Sequence, residues 1–315
     1  MPLTCAVIVP TKDRPHELLR MLRSLREQTR LPEQVILVDD GEAEEATLRA
    51  VFAGADTEVL YLRKAGTPGA ARSRNLGIAR ASADVVFLFD DDVILAPDYL
   101  AQVLALYEED REGTLGGVGG VVTNYRLPLL AHLYEAWRGR PHCGHGRVFA
   151  NGLSQCNYRA VRAVQPVEWL STCAASFRRA AALQFPSYEG FLRYSSYDDL
   201  EMTYRMSRRY RLLLTPHARV EHLKAPGGRV GGRDLAYRQI VDSWYHFDKN
   251  MPHRLVNRLA YAWMVLGTLT ADLAAVLLMP HRFGEHRLYL AGHAAGVRDC
   301  LLHQAHRRLP EWLMK

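Results

Sequence analysis

Between Thr4 and Phe89, short β-branched apolar runs alternate with segments whose leucines fall at helical spacing, and this alternation leaves few architectures open. Thr4 to Val9 is apolar throughout and stops at Pro10, as expected of a strand buried on both faces. Pro15 to Gln28 then sets Leu18, Leu19, Leu22 and Leu25 on one helical stripe, and a second apolar run, Gln34 to Val38, ends on Asp39 and Asp40. The order repeats with a helix near Glu42 to Phe52, a strand over Glu58 to Leu62, a helix after Pro68 and a strand over Asp84 to Phe89. Right-handed crossovers between such strands give an α/β fold with a parallel sheet covered on both faces. Ligands on these sheets sit beyond the carboxyl ends of the strands, which directs attention to Thr11 and Asp13, to Asp39 and Asp40, and to Asp90, Asp91 and Asp92.

Beyond residue 116 the pattern loosens into a glycine cluster, Gly116, Gly117, Gly119 and Gly120, and then a polar, aromatic, loop-rich stretch. Helical signals return over Asp198 to Tyr210, and a Gly-rich loop, Pro226 to Gly232, precedes an apolar region expected to be helical from Leu259 to Met279. At 315 residues the chain suits one main unit with an added element.

Three segments carry chemistry. Asp90-Asp91-Asp92, directly after an apolar strand, sets like charges side by side and calls for a compensating cation. Hard oxygen ligands favour Mg²⁺ or Mn²⁺, ions that bind through one or two carboxylates plus substrate phosphates. The same triplet also fits a helix start, since Asp favours caps and Pro97 follows. In the second segment, Gly66 to Gly77, small residues open a helix that carries Arg72 and Arg74, so that free N–H groups and guanidinium forks would attract phosphate; close helix packing explains the small residues equally well. The third, Asp198-Asp199-Leu200-Glu201, places acids in a helical first turn, where they are ordinary partners of the helix dipole.

Taken in order, these segments resemble the family 2 glycosyltransferases of GT-A fold over roughly residues 3 to 225. AVIVPTKDR (6–14) is similar to the family's first strand and nucleotide loop, VILVDDG (35–41) to its second-strand aspartates, and GAARSRNLG (69–77) to its Ala-Arg-Asn-x-Gly element. VVFLFDDD (85–92) looks like its Asp-x-Asp motif and YDDLEMTYR (197–205) like the element bearing its base. The resemblance implies an inverting, metal-dependent transferase that moves a sugar from a nucleotide-diphosphate sugar to an acceptor hydroxyl, in cell-surface polysaccharide or glycoconjugate synthesis. It would place Pro10, Thr11, Asp13 and Asp40 along the base and ribose, Arg72 or Arg74 near the phosphates, and Asp91 toward ribose or sugar. Asp92 with Asp90 would hold Mn²⁺ or Mg²⁺, Asp199 would be the general base, and Asp198 would stand beside it on the acceptor side.

Lys12 stands where many members have an aromatic residue, which leaves the base open, and Asp198 replaces the usual Glu. His222, after another apparent strand, resembles a histidine that some members turn toward the metal or diphosphate, while a structural donor role fits it too. Trp169 matches the region where members cover the donor and bind acceptor, and fits a core role equally. On this resemblance the chain divides into a catalytic domain over 1–232, with a nucleotide-sugar half at 1–123 and an acceptor half at 124–232, and a helical extension over 233–315.

Other features narrow the alternatives. His142, Cys143, His145 and Cys156 lack the paired spacing of a closed zinc site. VPTKDRP (9–15) is not Gly-rich, against a sugar nucleotidyltransferase, and the complete aspartate set argues against a scaffold that only binds nucleotide sugars. Forty Lys and Arg against thirty-four Asp and Glu suit anionic partners, without the basic runs of dedicated nucleic-acid binding. Five scattered cysteines and an N-terminus that runs straight into a strand lead us to expect a cytoplasmic protein. The apolar Leu259–Met279 segment has spanning length, but Asp272 near its centre and arginines on both flanks favour a buried or interfacial helix, peripheral on the membrane or at a homodimer contact.

Overall fold

The computed structural model describes residues 2–141, 144–191, 195–224 and 231–302. Its apolar runs form β1 (Cys5–Thr11), β2 (Gln34–Asp39), β3 (Glu58–Arg63) and β4 (Val85–Phe89), joined through helices α1 (Pro15–Arg26), α2 (Glu45–Ala50) and α3 (Ala70–Arg80). These strands lie in the order β3-β2-β1-β4, all parallel. All five residues of β4 are buried, so the strand is covered on both faces, as its unbroken apolar run requires. Thr11 pairs with Asp39 across β1 and β2, which brings the two carboxyl ends level and sets their polar residues along one edge.

Past β4 the sheet is no longer uniformly parallel. The Asp triplet is followed by a short strand, β5 (Val93–Leu95), and only then by α4 (Tyr99–Glu109), so the triplet does not start a helix. Next come β6 (Leu115–Val122), α5 (Leu129–Trp137), β7 (Gln165–Val167), β8 (Ala174–Arg178), α6 (Arg179–Gln184), α7 (Asp198–Ser207) and β9 (Arg211–His222). The order continues β4-β8-β6-β9-β5, with β7 on β9; β8 runs antiparallel to both β4 and β6, while β9 is parallel to β6 and antiparallel to β5 and β7. The reversal at β8 sets its first residue, Ala174, opposite Phe89, so Ser171 and Cys173 arrive where β4 releases the Asp triplet. The pairing of β9 with β5 sets His222 opposite Val93, next to Asp92.

The glycine cluster is β6, buried at all eight positions. A Cβ on Gly120 would lie 2.5 Å from both the Ala218 carbonyl oxygen and a ring carbon of Tyr99. Tyr99 cannot retreat, because its fully buried hydroxyl donates to Ala174 O (2.7 Å) and accepts from Gly120 N (3.1 Å). Gly120→Ala is therefore expected to cost about 1–3 kcal/mol, the usual range for overpacking, measured as a lower urea midpoint. An unchanged midpoint would mean that β6 and β9 separate without strain.

The C-terminal part is helical: α8 (Gly232–Asn250), α9 (Leu255–Leu278), a single 3₁₀ turn at Pro280–Arg282 and α10 (Phe283–Leu301). Tyr237, Ile240 and Val241 of α8 close on Cys300 of α10 as a small core of their own. Of the predicted Gly-rich loop, Pro226 to Val230 lies outside the described residues.

Candidate functional site

The two aspartates ending β2 divide their work. Asp39 is fully buried and accepts from Gly41 N (2.6 Å), Ala43 N (2.8 Å) and Tyr61 Oη (2.7 Å), so it turns the chain. Asp40 faces the start of α3, accepting from Gly69 N (3.0 Å) and Ser73 Oγ (3.3 Å), with Lys64 Nζ 2.9 Å away. The helix terminus expected to attract phosphate is thus already met by a carboxylate. Asp13 folds over Gly41 with φ +54°, and a Cβ on Gly41 would sit 2.6 Å from Asp13 Oδ1. The glycine after Asp40 is what lets the β1–α1 and β2–α2 loops touch. Pro10 is half-buried within β1, and Thr11 donates to Asp91 Oδ2 (2.9 Å).

The triplet spreads its carboxylates over different partners. Asp91 is buried, and it also accepts from Arg14 Nη1 (3.0 Å). Burial pushes its carboxyl up to about 6, against the pull of Thr11 and Arg14. Asp92, also buried, meets His222 Nε2 at 3.0 Å and Arg14 at 3.7 Å. Burial opposes a charge on His222, but its bonds to Asp92 and Cys173 outweigh it and raise the pKa to about 10. Asp90, Asp92 and His222 each turn one ligand atom to a common point, all within 4.8 Å of one another. Two hard carboxylate oxygens and an imidazole nitrogen fit Mg²⁺ or Mn²⁺.

Arg74 ties this cluster to α7. Buried, it donates from Nη2 to Asp90 (2.9 Å) and from Nη1 to Asp198 (2.7 Å) across 124 positions of sequence. Burial would lower its pKa, but Asp198 and Asp90 hold it firmly charged. Asp199, next in the first turn of α7, accepts from Leu200 N (2.7 Å) and from the Ser171 hydroxyl. Burial and then the charge of Asp198 push its carboxyl up to about 7, against Arg74. A carboxyl that titrates near neutrality in the first turn of a helix is suited to accepting a proton.

Several sequence expectations need correction. Arg74 does not wait for phosphate, since both ends of its guanidinium already hold carboxylates. Arg72 is exposed, with Glu189 as its partner at 3.7 Å. Trp169 takes the core alternative: it is 5% exposed, donates to Gln155 O (3.1 Å) and stacks on His145, which leaves no ring face for a sugar. Of the rejected zinc set, His142 and Cys143 lie outside the described residues, and His145 Nδ1 accepts from Asn157 N (3.2 Å). The sequence reading gave no role to Arg14, Lys64 or Ser171. Arg14 lay within the quoted β1 segment, one residue past Asp13; nothing local marks Lys64 or Ser171, whose partners are set by the sheet order.

Residues 6–159 match the family model for glycosyl transferase family 2. An uncharacterised glycosyltransferase of Haemophilus influenzae is 31% identical over 105 residues, 33% of this chain and 35% of the relative. A galactofuranosyltransferase of Mycobacterium tuberculosis, GlfT1, is 38% identical over 88 residues, 27% of this chain and 29% of the relative. The chain thus spans about a third of the length of these curated relatives. The mannosyltransferase PcManGT from Pyrobaculum calidifontis, solved in complex with GDP-Man and Mn²⁺, superposes with TM-score 0.56 at 18% identity, covering 95% of this chain and 88% of that one. The fold is accordingly of GT-A type, and the matched segment begins in its parallel half. The strand order, the carboxylates at its edge and the family match agree, and residues 6–159 carry the glycosyl transferase family 2 domain.

Proposed function

We propose that this protein is an inverting, metal-dependent glycosyltransferase that moves a sugar from a nucleotide-diphosphate sugar to an acceptor hydroxyl, in cell-surface polysaccharide or glycoconjugate synthesis. The observation that carries the proposal is the chain of contacts Asp90–Arg74–Asp198, which joins the Asp90, Asp92 and His222 cluster to the raised carboxyl of Asp199. The GDP-Man and Mn²⁺ of the mannosyltransferase structure support a donor and metal of these classes.

In this reading Asp13, Asp40 and Thr11 border the nucleoside, with Lys64 holding Asp40 in place. Asp91, fixed by Thr11 and Arg14, faces the ribose or sugar. Asp90, Asp92 and His222 hold Mn²⁺ or Mg²⁺, which when bound stabilises negative charge on the departing diphosphate. Asp199 takes the proton from the acceptor hydroxyl as that oxygen attacks the anomeric carbon from the face opposite the leaving group, inverting the centre. Arg74 keeps Asp198 from repelling Asp199 further and fixes the spacing between the two halves of the reaction. The described free cysteines, Cys5, Cys156, Cys173 and Cys300, fit a reducing, cytoplasmic setting.

The test is a thermal-shift screen of nucleotide sugars with and without Mn²⁺, followed by product analysis of the stabilising donor. A native-state ligand at about 100 times its Kd adds about 2.7 kcal/mol, an easily read shift. Release of nucleoside diphosphate with an inverted anomeric product is expected. Pyrophosphate release from a sugar phosphate would instead identify a nucleotidyltransferase, and a retained configuration would reject Asp199 as base in a single displacement.

A further inference from the structure

Helix α9 is built with its polarity reversed for a helix facing water. Its inward stripe carries the polar groups: Asn257 donates to Ala150 O (3.0 Å), Tyr261 meets Ser243 (2.9 Å), and Asp272 pairs with His293 of α10 (2.5 Å), itself bonded to Gln239 of α8 (3.0 Å). Its outward stripe is apolar. Val256, Leu259, Trp263, Leu266, Leu273 and Leu277 recur at three- and four-residue steps or their sums and are 45% to 70% exposed. Helix α5 widens this face, with Leu129, Leu130 and Leu133 at 60% to 74% exposure and no buried residue of its own. The two helices join where Trp137 and Trp263 meet edge to face at 5.0 Å and Trp263 Nε1 donates to Trp137 O (2.8 Å). An apolar surface this continuous is unusual on a protein surrounded by water.

Charge identifies what covers it. Arg254 and Arg258 are exposed at one end of α9, Arg282 and Arg287 at the other, and Arg126 before α5. The acids of the two helices turn inward, Asp272 to His293 and Glu135 to Arg138 and Arg140, while Glu285 nearby is held by Arg282. A basic rim around an apolar stripe with two tryptophans matches an anionic lipid surface. A second copy fits less well: α9 is basic at both ends, so a two-fold pairing of its stripe sets like charges together in either orientation. Nor is α9 free to cross a bilayer, although its 24 residues reach about 36 Å, because its inward stripe is bonded to α8 and α10.

We propose that α5 and α9 form a single face that lies in the surface of an anionic membrane. The face connects directly to the site: Asn124, which leads into α5, exchanges two hydrogen bonds with the His222 backbone (3.0 and 3.1 Å). A membrane-borne acceptor would then reach the site without leaving the lipid surface. The membrane contact itself stands whatever sugar is transferred.

The test is flotation of the full chain with phosphatidylcholine vesicles, with and without phosphatidylglycerol. The protein should float with the anionic vesicles, bind the neutral ones more weakly and come off in high salt. Leu259→Glu with Leu266→Glu should cut binding by about tenfold or more, and Arg254→Glu with Arg258→Glu should remove the preference for phosphatidylglycerol. Leu133→Glu, on a different helix, should act in the same direction, which separates lost contact from lost folding. Unchanged flotation of these variants overturns the proposal. So does failure to float coupled with dimers in sedimentation, the second-copy outcome, and so does resistance to both salt and alkaline carbonate, the spanning outcome.

Discussion

Replacing Asp199 by Asn is expected to leave nucleotide-sugar binding intact and to cut sugar transfer by about 10²–10⁴-fold, the usual contribution of a positioned general base. Asn keeps the shape and can still accept from Leu200 N and the Ser171 hydroxyl, but it takes no proton at neutral pH. Wild-type turnover should rise with pH through about 7, where the carboxyl ionises, and the variant's residual rate should lose that inflection. Stability should move the other way. A carboxyl raised in the fold from 3.8 to about 7 binds its proton more tightly when folded, so the native protein loses stability as pH rises from about 4 and levels off above about 7. Asp199→Asn removes that loss: the variant should melt higher than the wild type at pH 8 and alike near pH 4. A variant with normal turnover, or one that melts lower at pH 8, would remove Asp199 from the role of base.

The same aspartate shows what a sequence can and cannot reveal about this site. The strand-and-helix alternation places Asp40, Asp90 and Asp92 on one edge because a strand buried on both faces must be apolar until it ends, and its first polar residue marks that end. Asp199 is harder, since acids in a first turn are ordinary, and only the order of the other segments singles it out. The fate of Arg74 could not be read locally. Two arginines two positions apart on α3 look alike in sequence, yet one turns outward to Glu189 and the other inward to join Asp90 and Asp198. That choice depends on the chain after the reversed β8 returning Asp198 of α7 to Arg74, a tertiary decision with no periodic signature. Trp169 was ambiguous for the same reason: its stacking partner, His145, lies across a loop whose path only the fold supplies. The apolar face of α9 was visible as composition, but its partner α5 was not, because nine residues with no buried position resemble a loop more than a helix.

Asp92→Asn is expected to produce the second large effect, abolishing the Mn²⁺-dependent part of donor stabilisation and lowering transfer at least as far as the loss of the base. Asp92 is central because it faces the shared point of Asp90 and His222 and is also the counter-charge that keeps His222 protonated. A cation and a proton therefore compete for His222, since a ligating imidazole must be neutral, and wild-type metal affinity should climb as pH rises. In the variant that competition relaxes. Without Asp92, the largest support against burial is gone and the His222 pKa should fall from about 10, measurable by NMR titration of the ring. The sign for stability follows from linkage. A histidine whose pKa is raised in the fold contributes stability that is fully present below about 6.5 and disappears as pH climbs through about 10. Measured without metal, the wild type should then exceed Asp92→Asn most at pH 6, with the gap narrowing toward pH 10. If the Mn²⁺-dependent shift survives in a folded Asp92→Asn protein, the cation is held elsewhere, and the strand-edge cluster is a structural ion pair.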